Sequence, residues 1–166
     1  MTGEFCRYRA LGEESLAQLQ DNELASSDPG ANSAAVLVWH LSGNLRSRFT
    51  DFLTSDGEKP WRYREEEFAS RSVTRAELEE RWALGWQCVE HVLSQLSEED
   101  LSRTVSIRSV KHSVAEALLR AVSHVAYHIG QLVSLARRRR GDDWRHLSIP
   151  PGGSDDYNED PTWEKG

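Results

Sequence analysis

Cysteine is scarce in this chain. There are two in 166 residues, Cys6 and Cys88, far apart and in no C-x-x-C pair. One chance disulfide is all they could form, and two free buried thiols in a reducing compartment are expected. Long apolar runs are lacking too: no stretch approaches the roughly 18 residues a membrane span needs. The N-terminus, MTGEFCRYRALGEE, has no apolar core of a secretory signal, so the expectation is a cytoplasmic protein without a membrane partner. Eleven Gly and five Pro are too few for a collagen-like or low-complexity chain. An excess of basic residues is also missing. The formal net charge is −7, which argues against nucleic acid as a main partner.

What is present suits one folded domain. Apolar residues make up 38% and include six Trp, four Tyr and four Phe, enough for a substantial core. Four stretches carry a helical period. The first runs from about Glu4 to Asn22, with Phe5, Tyr8, Leu11, Leu16 and Leu19 on one side. Pro29 and Gly30 mark a loop over residues 25–32. The second runs from about Ser33 to Thr54 and is stopped by SDGEKP at Ser55–Pro60. The third starts at Thr74, three residues before Glu77, and reaches about Leu96. The fourth starts at Ser113, three residues before Glu116, and reaches Arg137–Arg140 and Gly141. Both starts are capping boxes. Positive charge in the last turn suits a helix C-terminus, and Gly141 is a natural stop. Ser97 with Asp100 can cap a short turn. Thr104–Lys111 alternates loosely and reads as a short extended or irregular crossing.

Helices of about 19–27 residues are roughly 30–40 Å long and can bury one another as an all-α four-helix bundle over residues 1–141. Residues 142–166 have no helical period but hold Trp144, Leu147, Ile149, Tyr157 and Trp163. Trp144–Tyr157 is expected to pack on the bundle or on a partner subunit. Seven acids and two bases fall in this tail, so the bundle itself is close to neutral.

Chemistry concentrates in the histidines. His124 and His128 form H-x-x-x-H in the fourth helix, a spacing that puts both rings on one face. Imidazole suits zinc, nickel, iron or copper. Val125 stands where H-E-x-x-H would need Glu, so a zinc metalloprotease is excluded. His40 lies in an apolar stretch of the second helix and offers a third ligand from a facing helix. Three histidines with one open position describe a catalytic ion rather than a purely structural one. Asn44 and Arg48 continue the stripe below His40. Asn44 can orient water or substrate and Arg48 can neutralise an anionic substrate; alternatively, both are a polar end of an interhelical seam. Gln131 supports an imidazole or makes an interhelical hydrogen bond. His91, His112 and His146 read as structural or exposed, Glu90 as a surface carboxylate and Tyr127 as a packing or dimer-face residue. Glu65, Glu66 and Glu67 read as a solvated loop. Arg137–Arg140 reads as helix termination paired within the chain, given Asp142 and Asp143.

Three segments carry a wider likeness: NSAAVLVWHLSGNLRSRFTDFLTSDGEKPW at Asn32–Trp61, EALLRAVSHVAYHIGQLVSLAR at Glu116–Arg137 and WRHLSIPPGGS at Trp144–Ser154. With these the sequence resembles the DinB-like superfamily, which includes YfiT-type metal-dependent hydrolases and bacillithiol- or mycothiol-linked transferases, and within it a bacterial branch without an assigned reaction. The resemblance implies up-down-down-up connectivity, often a homodimer, and a nickel or zinc ion on one histidine of the second helix and an H-x-x-x-H pair on the fourth. Those positions are His40, His124 and His128. The implied function is activation of water or a low-molecular-weight thiol against a small-molecule substrate. The alternative is a bundle that binds metal or a small ligand without turnover.

Overall fold

The computed structural model describes residues 2–26 and 28–161; Trp163 lies outside them. Among the described residues four long helices form the molecule: α1 (Thr2–Ala17), α2 (Ala34–Phe49), α3 (Arg75–Gln95) and α4 (Val114–Arg140). A two-stranded hairpin, β1 (Thr104–Ile107) and β2 (Val110–Ser113), precedes α4, and a short α5 (Ser154–Glu159) follows it. The fold is all-α and bundle-like, with the hairpin and the short C-terminal helix added to the four long helices. None of the described helices is long and apolar enough to cross a membrane.

Local chemistry sets the helix starts. Ser33 caps α2 by accepting from the Val36 amide at 3.2 Å. At α3, Thr74 accepts from the Glu77 amide at 3.3 Å and Glu77 accepts from the Thr74 amide at 2.8 Å. At α4, Ser113 and Glu116 do the same at 3.2 and 2.7 Å. Both capping boxes stand where the sequence placed them. Two helix ends differ. The first helix stops at Ala17, because Gln20 to Leu24 turns into a 3-10 segment that sends the fully buried Leu24 under the bundle. The second stops at Phe49. Thr50 is extended and Asp51 has φ 49°, so the chain turns, yet Phe52 stays stacked on Phe49 with ring centroids 5.4 Å apart.

The core follows the helical period. α1 packs on α4, and α2 packs on both α3 and α4. Leu37, Leu41 and Leu45 of α2, Leu78, Trp82 and Trp86 of α3, and Leu118, Val125, Ile129 and Leu132 of α4 are buried in one core cluster. Gly85 brings α3 to backbone contact with α2: a Cβ there would lie 2.8 Å from Ser42 Cα. A Gly85→Ala variant gains up to about 1 kcal/mol of helix propensity but overpacks a backbone that cannot yield locally. The expected net loss is about 1–2 kcal/mol in denaturant unfolding, and an unchanged or higher midpoint contradicts it.

The hairpin pairs Thr104 with Ser113 and Ile107 with Val110. Its two-residue turn is Arg108–Ser109, with φ of 53° and 63°. Positive φ at both positions matches the right-handed twist of a hairpin but disfavours non-glycine residues. The Asp56 carboxylate offsets this by accepting from both turn amides, at 2.8 and 2.7 Å. The Gly57 amide donates to Ser106 O at 2.8 Å, so the connection after α2 clamps the hairpin against the bundle.

These turns and caps carry an acid dependence. Amide donation from Glu58 and Ser109 holds the Asp56 carboxyl below its usual range, and amide donation from Thr74 and Ser113 does so for Glu77 and Glu116. The Ser97 amide, then Arg103, holds Asp100 down to about 2. A carboxyl with a depressed folded-state pKa stabilises the fold above its unfolded pKa, and that contribution disappears as pH falls through the folded value. The thermal midpoint should therefore decline below about pH 4. An Asp100→Asn variant should be less stable at neutral pH and show a shallower acid decline; a decline of unchanged shape would sink the assignment.

Two surface expectations are corrected. Cys6 is exposed on α1 and Cys88 half-buried; both are free, so neither is a buried thiol. The arginine run is paired within the chain, but by the loop after α1 rather than by Asp142 and Asp143. Arg138 and Arg139 reach Asp28 at 3.3 and 3.0 Å, and Arg140 pairs with Glu23. In the tail, Trp144 packs against the core and the Gln18 side chain holds both backbone groups of Arg145, at 2.9 and 3.1 Å. No residue of α5 is buried.

Candidate metal centre

Two helices bring three histidines together. His40 lies midway along α2 and is buried; His124 and His128 lie one turn apart on α4. One ring nitrogen from each falls within 4.8 Å of the others. Nε2 of His40 is 3.1 Å from Nε2 of His124. Four-coordinate ions with metal–nitrogen bonds of about 2.0–2.1 Å space neighbouring donors by about 3.3 Å, so this separation fits a shared cation.

Protonation follows from the partners. Nδ1 of His40 faces Oε2 of Glu67 at 2.9 Å. A carboxylate only accepts, so Nδ1 donates to it and Nε2 is the ring nitrogen turned to the cluster. Burial pushes His124 down to about 3, with His128 and His40 adding by charge repulsion. Burial pushes His128 down to about 4, with His40 adding and the Gln131 side chain opposing. Both rings are therefore neutral at pH 7, the form that binds a metal. Nδ1 of His124 and Nδ1 of His128 are buried with no hydrogen-bond partner. Two neutral imidazoles not fully satisfied by the protein, beside a third whose Nδ1 is held by Glu67, are a donor set that fits a borderline divalent ion.

Glu67 is the residue that sequence reasoning missed. It belongs to a 3-10 segment, Arg64–Phe68, where Glu65 and Glu66 are exposed as expected but Glu67 is buried. Arg62 holds it with a fork, Nε to Oε1 at 2.8 Å and Nη2 to Oε2 at 2.9 Å. Burial alone would raise the Glu67 carboxyl, but Arg62 and His40 together bring it below its usual range. Gly43, one turn after His40 on α2, makes room for this carboxylate, since a Cβ there would collide with Oε1. Arg62, Glu67 and His40 thus form a chain that fixes the imidazole tautomer, the arrangement that commonly backs a metal-ligating histidine. No periodic pattern marks Glu67, because a single 3-10 turn has none.

The cluster opens onto a cavity of about 490 Å³ between α2, α4, the hairpin and the connection after α2. Asn44, Arg48 and Gln131 all line it. Arg48 is already engaged, however: it donates to Gly57 O and pairs with Glu58 at 3.2 Å. Tyr127 lines the cavity too, with its ring edge-on to His128 at 4.8 Å, where the sequence had suggested a packing or dimer-face role. Phe49, Phe52, Phe68, Val105 and Ile107 supply apolar wall. His91 and His146 are exposed, His112 is half-buried, and none of them belongs to the cluster. Glu90 is a surface carboxylate paired with Arg9.

Fold and site together define a helix-bundle protein with a three-histidine cluster positioned to hold a metal ion. The chain belongs to the family described as "Protein of unknown function (DUF1572)", whose model matches residues 1–153. That membership and the cluster are consistent with the DinB-like superfamily. No curated protein and no solved structure matches the chain.

Proposed function

We propose that the protein is a divalent-metal-dependent enzyme, with nickel or zinc on His40, His124 and His128, acting on a small molecule in the adjoining cavity. The observation that carries this is the convergence of three imidazole nitrogens at the wall of a cavity of about 490 Å³. Such a volume suits a small-molecule ligand. A bound divalent ion supplies a Lewis acid that lowers the pKa of water or a thiol. Hydrolysis and low-molecular-weight thiol transfer, the reactions within the DinB-like superfamily that the sequence resembles, both use that chemistry.

The chain's own residues divide the remaining work. Asn44, half-buried beside the cluster, orients the reacting group, and Gln131 steadies His128. Anion recognition shifts along α4. Arg120 lines the cavity one turn before His124 and, among the described residues, has no ion pair, whereas Arg48 is held by Glu58. Arg120 therefore faces a substrate carboxylate or similar anion, and Arg48 shapes the rim. The phenylalanine wall accommodates an apolar body.

Metal-stripped protein reloaded with nickel or zinc, followed by elemental analysis, tests the first half of this reading. About one ion per chain is expected. Assays of the loaded protein against esters, and against thiols with an electrophile, test the second half. Turnover that disappears with the metal supports the enzyme; stoichiometric metal with no turnover favours the binding-protein alternative.

A further inference from the structure

A second cleft, of about 450 Å³, lies beside Glu67 and is lined by residues of α2, α3 and the connection between them. Its chemistry is unlike that of the metal centre. Arg46 of α2, Arg71 of the connection and Arg81 of α3 all line it. Arg46 lies over the Trp61 ring at 5.5 Å, while Arg71 and Arg81 lie over Trp39 at 4.7 and 5.7 Å.

Charge in this cleft is poorly balanced. Arg71 donates to the carbonyls of Ala69, Glu66 and Glu67, which are neutral acceptors. Among the described residues Arg46 and Arg81 have no ion pair, and Nε of Arg81 is buried with no hydrogen-bond partner. Glu67 also lines the cleft, but it is already shared between Arg62 and His40. Glu66 is the other acid on the lining; it is exposed and pairs with none of the three arginines. Burial lowers the Arg81 pKa, with Arg46 and Arg71 adding to the effect and Glu67 opposing it. Stacking on indole rings relieves only part of such repulsion. A buried guanidinium N–H without an acceptor is a second cost.

We propose that this cleft binds the phosphoryl group of a small phosphomonoester, held by Arg46, Arg71 and Arg81. A carboxylate brings one charge and two acceptor oxygens. A phosphoryl group brings nearly two charges and three acceptor oxygens, a closer match to three guanidiniums. The exposed ring faces of Trp61 and Tyr63 border the same cleft and give an organic substituent something to stack on.

Calorimetric titration of the full chain at physiological ionic strength tests this, with phenyl phosphate, inorganic phosphate and benzoate as probes. Phenyl phosphate should bind saturably and more tightly than inorganic phosphate, with benzoate weakest. Arg81→Gln and Arg46→Gln should each weaken phenyl phosphate by about tenfold or more. Among the described residues the Arg46 side chain makes no hydrogen bond and only lies over Trp61, so its variant stays informative if Arg81→Gln fails to fold. Absence of saturable binding overturns the proposal. So does a loss seen in Arg120→Gln but in neither cleft variant, which would place the anion in the other cavity. Inorganic phosphate binding as tightly as phenyl phosphate overturns the ester as the ligand.

Discussion

Replacing His40 by alanine removes the metal: reloaded wild-type protein should hold about one nickel or zinc per chain, and His40→Ala less than about a tenth of that. His40 is the only ligand that α2 contributes, and its loss leaves an i, i+4 pair on one helix. Two imidazoles alone still bind divalent ions, but too weakly to survive buffer exchange. The loss also frees Glu67 and Arg62 from the position they hold behind the ring, so the remaining nitrogens lose their buttress. His124→Ala and His128→Ala should fall similarly, because each also leaves two donors. His91→Ala, on the exposed side of α3, should keep full stoichiometry. Metal added to wild-type protein should raise the thermal midpoint by preferential binding to the folded state, and should not raise it in His40→Ala. Full stoichiometry in His40→Ala, or a wild-type value below about a tenth with no shift of the midpoint, would falsify the site.

The three clustered histidines were legible in the sequence, whereas their support was not. His124 and His128 announce themselves because helix geometry converts a four-residue spacing into a shared face. His40 stood out because a polar ring interrupts an apolar helix. Helix starts were legible for the same reason: Ser113 with Glu116 and Thr74 with Glu77 are local hydrogen-bond devices whose partners lie within one turn. Glu67 and Arg62 act over a different kind of distance. They sit in an aperiodic connection, and burial of Glu67 depends on Gly43, a residue of another element whose missing side chain makes the space. The ion pair of Arg48 was hidden for a related reason. Arg48 lines the cavity below His40, and Glu58, ten residues on, pairs with its charge. The hairpin turn was hidden because Arg108 and Ser109 are poor residues for positive φ, and only Asp56 from the preceding connection makes them tenable.

Glu67→Gln should separate folding from metal chemistry behind the histidines. Glu67 accepts two hydrogen bonds from Arg62 and one from His40, and all three side chains are almost fully buried, at 6%, 2% and 5% exposure. Glutamine keeps the shape but offers one acceptor oxygen and places an amide NH2 against existing donors. If its oxygen turns to His40, Arg62 faces a donor and keeps an uncompensated charge. If its oxygen turns to Arg62, the Nδ1 proton of His40 has no acceptor. Breaking such a pair from one side costs about 3 kcal/mol or more. Metal affinity should fall by about 10–100-fold, the usual effect of removing the partner behind a ligating histidine. Adding Arg62→Met to Glu67→Gln removes the orphaned charge, so stability should recover by a large fraction while metal affinity stays low. That split distinguishes a carboxylate that orients His40 from one that merely neutralises Arg62. Denaturant midpoints measured on metal-free protein, beside competitive metal titrations, provide the two readouts. Recovery of metal affinity together with stability in the double variant would assign Glu67 to the fold alone, and unchanged affinity in the single variant would remove it from the site.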